Sequence, residues 1–370
     1  MLMISKLRGR HIVICEIIAI IILSSITIKN HMDYEASTYA SMYDSQKNFI
    51  KWVNFDVSSK ALEMAYKYDV ESQDQELKLN WIELLAVLAC RYGCDFSHFK
   101  EKHMVDLVEK LRSGKETIAS ITEGLKYYDY YLEAYTAVLG GMVGKYQIEV
   151  PDSNAPGGRR WEERYGLKAF FPLAKNFPYS HYDDFGDSRS YGFKRKHLGH
   201  DLMGQVGTPV IAVESGYVEA LGWNQYGGWR IGIRSFDKKR YYYYAHLRKN
   251  FPYNKELKVG SIVQAGDVIG YLGRTGYSRS ENSNNINTAH LHFGIQLIFD
   301  ESQKESVNEI WIDCYNLVKF LSRNRVETVK NNETKEYRRV YNFIDPVAQY
   351  YIRHSKYKYD DYEIDIHIYE

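Results

Sequence analysis

Two short, strand-like stretches about ninety residues apart each carry a pair of side chains that can bind a metal ion. His197 and Asp201 are four residues apart in the first stretch, and His290 and His292 are two apart in the second. Residues two or four apart point to the same face of a β-strand, so each pair can face one point between neighbouring strands. His200 has the opposite parity to Asp201, and we expect it to point away from the metal.

Imidazole nitrogens and a carboxylate oxygen are ligands that Zn²⁺ binds at about 2.0–2.2 Å, and a catalytic zinc site keeps one position open for water. A lone histidine is more often structural than metal-binding, and a His-x-x-x-Asp pair by itself would be weak evidence. The His-x-His pair of His290 and His292, in an apolar run later in the chain, makes the zinc interpretation much more specific.

Four motifs follow one another in a fixed order: His197-x-x-x-Asp201, Gly207-Thr208-Pro209-Val210-Ile211-Ala212, Tyr244-Ala245-His246-Leu247 and His290-Leu291-His292-Phe293. In this order and spacing they resemble the M23 (lysostaphin/LytM-type) zinc metallopeptidases. The resemblance covers roughly residues 160–300, under half the chain. It implies a β-sheet groove with zinc at its floor, bounded by loops.

Strand parity and the family motif together predict His197, Asp201 and His292 as the ligands of one Zn²⁺ per peptidase domain. The resemblance implies that His290 is the catalytic histidine that takes the proton from the attacking water. It also implies that His246 holds this water or stabilises the tetrahedral oxyanion. The alternative for His246 is a buried histidine of a strand.

Residues that could line the substrate groove precede each half of the predicted site. Arg189 and Tyr191 lie just before the first ligand, where a surface-loop role is equally possible. Asn287 belongs to a polar loop, residues 278–288, that we expect to form a wall of the groove.

The N-terminus has the pattern of a membrane anchor. Lys6, Arg8 and Arg10 precede an apolar run over residues 12–28. A run of this length is at the lower limit for a membrane-spanning helix. The basic residues before it predict a single-pass protein of the cell membrane, with the rest of the chain extracytoplasmic. A cleaved signal peptide, and so a secreted protein, is the alternative, although no good small-x-small cleavage site follows the run.

The remaining chain changes pattern once. Residues 30–150 have helical periodicity, with a capping-box signature at Asn80 and Glu83. These helices could be a packed domain or an arm that stands off the membrane. A stretch rich in Pro, Gly, Asn and Ser follows, and beyond it short runs broken by glycines predict an antiparallel β domain.

The predicted fold class is therefore multidomain: an N-terminal membrane helix, an α-helical domain and a mainly antiparallel β domain of the M23 type. In chain order we expect a cytoplasmic tip and transmembrane anchor (1–29), an α-helical domain of unknown role (30–150), a linker (151–160), the β-rich peptidase domain (161–326) and a C-terminal extension (327–370).

Composition excludes some functions. The 48 lysines and arginines balance 47 acidic residues, so the charge gives no argument for a nucleic-acid partner. Four cysteines do not make a disulfide framework. Cys90 and Cys94 are four apart in a helical pattern, where two small core residues are the favoured interpretation over a metal site.

The predicted function is that of a membrane-anchored zinc endopeptidase. By resemblance, its substrate is the peptide stems or cross-bridges of bacterial peptidoglycan, a polymer that lies outside the membrane. One alternative is a non-catalytic cell-wall scaffold or hydrolase activator with the same fold. Another is a sugar-binding β module whose enzyme is the helical part. Residues 30–150 could also bind a protein partner.

Overall fold

The computed structural model describes residues 43–44, 49–190, 194–304 and 306–354. Within these residues the α-helices are α1 (Ser59–Ser72), α2 (Trp81–Tyr92), α3 (Glu101–Arg112), α4 (Ile118–Thr122), α5 (Tyr128–Leu139), α6 (Tyr315–Leu321) and α7 (Pro346–His354). The strands are β1 (Tyr43–Asp44), β2 (Phe49–Ile50), β3 (Val143–Pro151), β4 (Arg159–Leu167), β5 (Tyr179–Ser180), β6 (Ser188–Ser190), β7 (Lys194–Lys196), β8 (His200–Gly204), β9 (Pro209–Ile211), β10 (Gly216–Asn224), β11 (Gly228–Ser235), β12 (Arg240–Ala245), β13 (Ile262–Val263), β14 (Val268–Tyr271), β15 (His290–Leu297), β16 (Ile310–Trp311), β17 (Thr328–Lys330), β18 (Tyr337–Arg339) and β19 (Phe343–Ile344).

The helical region is organised around α2, which is apolar on most of its surface and buried at nine of its positions, including Trp81, Leu84 and Leu88. As predicted, α2 begins after Asn80, whose Oδ1 accepts hydrogen bonds from the backbone N–H groups of the second and third helical residues. The helix ends at Gly93, where the backbone turns left-handed (φ 60°).

The second half of the described chain forms an antiparallel sheet, as the sequence predicted. Eight strands take part: seven follow in the order β13-β10-β11-β12-β15-β8-β5, and β16 also pairs with β15. The segments that carry the two predicted ligand pairs are thereby neighbours, because β8 and β15 pair directly. A separate pair, β9 and β14, packs on this framework.

One hydrophobic core runs through the helices and the sheet, so the helices are a packed part of the fold and not an arm. Arg240 of β12 joins the sheet to the helices. Its Nη1 donates a hydrogen bond of 2.6 Å to the carbonyl oxygen of Ala137 in α5, and its Nε donates one of 2.8 Å to the Glu214 carboxylate. A second such contact is the hydrogen bond of 2.9 Å that the Tyr165 hydroxyl of β4 donates to Asp69 of α1.

Residues 151–160, predicted as a linker, join two long paired strands. Pro151 of β3 pairs with Arg159 of β4, and β19 from the C-terminal part of the chain adds a third strand beside β3. The Pro- and Gly-rich composition here belongs to a hairpin turn. The division of the chain into domains remains a prediction.

The predicted fold class requires correction. No helix in the described part of the chain is both long enough and apolar enough to cross a membrane. The segment predicted as the membrane anchor, residues 12–28, lies outside the described residues. What the structure supports is a mainly antiparallel β fold with helices packed against it.

Candidate metal centre and active site

Three side chains converge on one point beside the β8–β15 pair. The Nε2 atom of His197 lies 3.0 Å from Oδ1 of Asp201 and 2.9 Å from Nδ1 of His292, and the last two atoms are 3.0 Å apart. Among the described residues, His197, Asp201 and His292 form a group whose ligand atoms are close enough to one another to hold a metal ion. The structure thus brings together the three predicted ligands, whose role remains a prediction.

Backbone pairing fixes two of these three side chains. Asp201 of β8 lies directly opposite His292 of β15, so both side chains leave the sheet on one face. His197 lies before β8, outside the strand. The chain between them passes very close to a ligand, because a Cβ atom on Gly199 would meet the ring atoms of His292 at 2.5 and 2.6 Å. A side chain at this position would therefore force the His292 ring or the chain to move.

A buried carboxylate lies behind His197. The backbone oxygen of Asp184 is 3.0 Å from Nδ1 of His197, and its Oδ2 is 3.2 Å from the same nitrogen. Arg189 donates to Oδ2 of Asp184 at 2.8 Å and lies 3.4 Å from Oδ2 of Asp201. Arg189, predicted as a groove residue, therefore lies between the two carboxylates beside the metal centre.

The charges of this group are strongly coupled. Burial would lower the pKa of His197, but its hydrogen bonds to Asp184 and Asp201 raise that pKa to about 9. Burial would raise the pKa of Asp201, but the hydrogen bonds with His197 and His292 hold it well below its usual range. The site without metal is thus an ionised carboxylate beside a protonated imidazole.

Two further histidines border the ligands. The ring of His246 lies 4.8 Å from the ring of His290 and 5.7 Å from that of His292, measured between centroids. The Nε2 atom of His290 is 3.7 Å from Oδ2 of Asp201. The backbone of His246 is left-handed (φ 61°), a conformation that is uncommon outside glycine and that recurs at functional sites.

Carbonyl groups determine the tautomers of these two rings. Nδ1 of His290 lies 2.8 Å from the oxygen of Thr288, and Nδ1 of His246 lies 2.9 Å from the oxygen of Thr275. A carbonyl oxygen only accepts, so each Nδ1 carries a hydrogen and each Nε2 keeps its lone pair. Burial, followed by the charges of His290 and His292, lowers the pKa of His246 well below its ordinary value. His246 is therefore neutral.

His200 points away from the metal centre, as its parity led us to expect. Its Nε2 lies 2.8 Å from Nδ1 of His181, and its ring packs edge-on against Tyr315. His200 is almost completely buried, whereas His181 is partly exposed.

The predicted groove residues have different outcomes. Arg189 contacts the carboxylates of Asp184 and Asp201, and Asn287 is exposed in the loop before β15. Tyr191 lies outside the described residues. Arg195 is an addition that sequence reasoning missed. Its guanidinium lies over the rings of Tyr226 and Tyr277 and donates to the hydroxyl of Tyr277. It thereby joins three segments that border the site.

Sequence reasoning also missed Asp184, Gly199, Thr275 and Thr288. Asp184 offered one weak signal, since it is the second of two adjacent aspartates shortly before the first ligand. The two threonines act through backbone carbonyls, which no side-chain pattern reveals. For Gly199 the available signal was its position as a glycine between His197 and Asp201.

The three converging atoms fit a zinc ion. Two imidazole nitrogens and one carboxylate oxygen are a zinc donor set, and ligands bound tetrahedrally at about 2.1 Å lie about 3.4 Å apart. The observed separations of 2.9 to 3.0 Å need an expansion of only a few tenths of an ångström. Nδ1 of His197 is already occupied by Asp184, which leaves Nε2 for a metal.

Part of this chain is similar in sequence to known peptidases. The family described as Peptidase family M23 matches residues 195–308. The L-Ala–D-Glu endopeptidase of Bacillus subtilis (strain 168) is 41% identical over 125 residues, which are 34% of this chain and 37% of that protein. Lysostaphin of Staphylococcus simulans is 42% identical over 98 residues, 26% of this chain and 17% of that protein.

Among solved structures, the catalytic domain of lysostaphin from Staphylococcus simulans is 33% identical, with a TM-score of 0.30, over 38% of this chain and 92% of that domain. The match covers only a minor part of the curated relatives, about a third of the Bacillus protein and under a fifth of lysostaphin.

Proposed function

We propose that this protein, whose residues 195–308 belong to peptidase family M23, is a zinc-dependent endopeptidase that hydrolyses peptide stems or cross-bridges of bacterial peptidoglycan. The observation that carries the proposal is that ligand atoms of His197, Asp201 and His292 lie within 3.0 Å of one another. Two further histidines, His246 and His290, lie beside them. The relatives' names support the reaction class, since one is an L-Ala–D-Glu endopeptidase and another a glycyl-glycine endopeptidase.

In this proposal His197 binds zinc through Nε2, His292 through Nδ1 and Asp201 through a carboxylate oxygen. When bound there, zinc supplies Lewis-acid chemistry, lowering the pKa of a water molecule towards about 7 and polarising a peptide carbonyl. The two imidazoles are neutral donors, so one carboxylate leaves the centre with net positive charge.

His290 is the general base of the proposed reaction. Its Nδ1–H donates to Thr288, which leaves the Nε2 lone pair on the side of Asp201. That nitrogen can take the proton from the attacking water and later deliver it to the leaving amine. The ring cannot turn over without losing the hydrogen bond to Thr288.

His246 holds the water. Its Nε2 has a lone pair, because Nδ1–H donates to Thr275, so it accepts a hydrogen bond from a water molecule. Stabilising an oxyanion would require a protonated ring, and the lowered pKa of buried His246 opposes that. Of the two roles that the resemblance implies, positioning the water therefore agrees better with the local chemistry.

The substrate also determines where the protein acts. Peptidoglycan lies outside the cytoplasmic membrane, so we propose an extracytoplasmic site of action. Two relatives whose names specify different bonds, the L-Ala–D-Glu endopeptidase and the glycyl-glycine endopeptidase, are each 41% identical to this chain over the matched residues. We therefore propose peptidoglycan peptides as a class and leave the bond to experiment.

The test is mass analysis of the fragments that residues 30–370 release from purified peptidoglycan, with and without a metal chelator. Chelator-sensitive release of peptides with new amino termini is expected, and the masses identify the bond. A preparation that binds zinc but releases nothing from several peptidoglycan chemotypes would contradict the proposal and favour a non-catalytic scaffold.

A further inference from the structure

Asp184 is the most completely buried carboxylate near the candidate metal centre, with no exposed side-chain surface. It is not one of the three converging ligands, but it contacts His197, which is one of them. Oδ2 lies 3.2 Å from Nδ1 of His197 and 2.8 Å from Nη2 of Arg189. Oδ1 lies 3.5 Å from Nδ1 of His200 and 3.5 Å from the backbone nitrogen of Asp201.

We propose that Asp184 is a positioning residue of the metal centre: its carboxylate holds the His197 ring so that Nε2 faces the metal. The inference rests on the proposed function, since it assigns a residue to the same metal site. The backbone oxygen of Asp184 and its Oδ2, 3.0 and 3.2 Å from Nδ1 of His197, only accept hydrogen bonds, which places a hydrogen on Nδ1. Nη2 of Arg189, a donor, is farther from this nitrogen at 3.5 Å and is directed to Oδ2 of Asp184 at 2.8 Å. Once the proton on Nε2 has been released to make way for the metal, the lone pair of His197 is on Nε2, between Asp201 and His292.

A carboxylate behind a ligand histidine also changes the strength of the ligand. An anion that accepts the Nδ1–H makes the imidazole more basic and fixes its orientation, and removing such a partner typically weakens metal binding 10- to 100-fold. The Arg189 guanidinium, 2.8 Å from Oδ2, supplies the positive charge that accompanies this buried carboxylate.

Asp184 joins the metal centre to two further groups. Arg189 bridges it to Asp201, so one guanidinium contacts the carboxylates on both sides of His197. His200, which is paired with His181, places its Nδ1 3.5 Å from the other oxygen. The contacts of Oδ2 with Arg189 and His197 hold the buried carboxylate in place, as a positioning group requires.

The test compares the zinc affinity of the Asp184→Asn variant with that of the parent protein, by competition with a chromophoric chelator. Asp183→Asn is the matched control, because Asp183 is exposed and its substitution removes the same charge one residue earlier. We expect about tenfold weaker zinc binding for Asp184→Asn. The factor is at the low end because the backbone oxygen of Asp184, 3.0 Å from Nδ1, survives the substitution.

A purely structural role for Asp184 predicts a different result. In that case Asp184→Asn lowers the thermal stability of the metal-free protein while a zinc-loaded sample keeps the parent affinity, and the proposal is wrong. Two-bond ¹H–¹⁵N spectra of the histidine rings give a second readout on the parent protein itself, which needs no variant to fold. We expect a protonated Nδ1 and a zinc-bound Nε2 for His197, and the reverse assignment would overturn the inference.

The outcomes for this inference and for the proposed function are separable. A parent protein that binds no zinc contradicts the proposed function. A parent that binds zinc and cleaves peptidoglycan, with Asp184→Asn binding zinc equally well, contradicts only the role of Asp184.

Discussion

Asp201 and His292 lie directly opposite each other on β8 and β15, and Oδ1 of the first is 3.0 Å from Nδ1 of the second. A slip of one residue in this register would turn one of the two side chains to the other face of the sheet. The metal centre thus depends on the pairing of two strands, and its chemistry can be tested one side chain at a time.

Replacing Asp201 with alanine should remove the metal. The variant loses the one carboxylate among the three converging ligand groups, and two imidazoles alone make a much weaker zinc site. We expect zinc content, measured by atomic emission after dialysis, to fall from about one ion per chain to a small fraction. Asp187→Ala, which changes an exposed aspartate of the same region, should retain its zinc. A fully loaded Asp201→Ala variant would refute the ligand assignment.

Replacing His290 with alanine should separate binding from turnover. His290 is beside the ligands but is not one of them, so zinc content should stay near that of the parent. Loss of a general base lowers kcat by about 10²- to 10⁴-fold. Fragment release from peptidoglycan, normalised to bound zinc, measures this. If turnover persists at the parent rate, His290 is not the base.

Much of this site was accessible from the sequence, for a physical reason. The period of two along a strand dictates that His290 and His292 share a face, and the sheet satisfies this. The same argument was applied to His197 and Asp201, but His197 lies before β8 and reaches the centre from a loop. The pair converges because the chain turns at Gly199, which strand parity does not predict.

The less predictable features are tertiary contacts. Asp184 is thirteen residues before His197 and meets it only because the β6–β7 hairpin folds back. Arg240 belongs to no motif of the sequence, and it is buried against the end of a helix more than a hundred residues away. No local periodicity records such contacts. The same limit explains why the helices could not be identified as packed on the sheet.

Gly199→Ala should weaken metal binding without removing a ligand. The added Cβ would lie 2.5 and 2.6 Å from two ring atoms of His292 and 2.9 Å from a backbone oxygen, so the ring or the chain must move. Displacing one ligand in this way should weaken zinc binding about tenfold or more, comparable to the loss of a supporting contact. Gly144→Ala is the control, since its Cβ would meet nothing closer than 3.5 Å. Equal zinc affinities for the two variants would show that the site adapts.

Zinc binding should weaken as the pH falls. Without metal the pKa of His197 is raised to about 9, so at neutral pH its Nε2 carries a proton that zinc must displace. One displaced proton corresponds to about a tenfold loss of apparent affinity per pH unit below that pKa. Titration calorimetry in buffers of different ionisation enthalpy should detect the release of about one proton per zinc at pH 7. Proton uptake, or affinity that does not change between pH 6 and 8, would be inconsistent with this charge state.

Arg240→Met should destabilise the whole fold, because Arg240 joins the sheet to the helices. Its guanidinium is buried and donates to Glu214, Asp237 and the carbonyl of Ala137. Without the guanidinium, the Glu214 carboxylate stays buried and keeps the hydrogen bond from the Tyr242 hydroxyl but loses those from Arg240. Removing one member of a buried ion pair typically costs about 3–5 kcal/mol.

The measurement for Arg240→Met is urea unfolding of residues 30–370, followed by the fluorescence of the tryptophans in both parts of the chain. Lys145→Met, a change at an exposed lysine of β3, is the control and should cost less than about 0.5 kcal/mol. The shared core indicates that the helices and the sheet unfold together, so we expect one transition for the parent. The variant should also unfold in one transition, at a lower urea concentration. A helical part that unfolds separately in the parent, or a variant as stable as the control, would show that Arg240 does not hold the helices to the sheet.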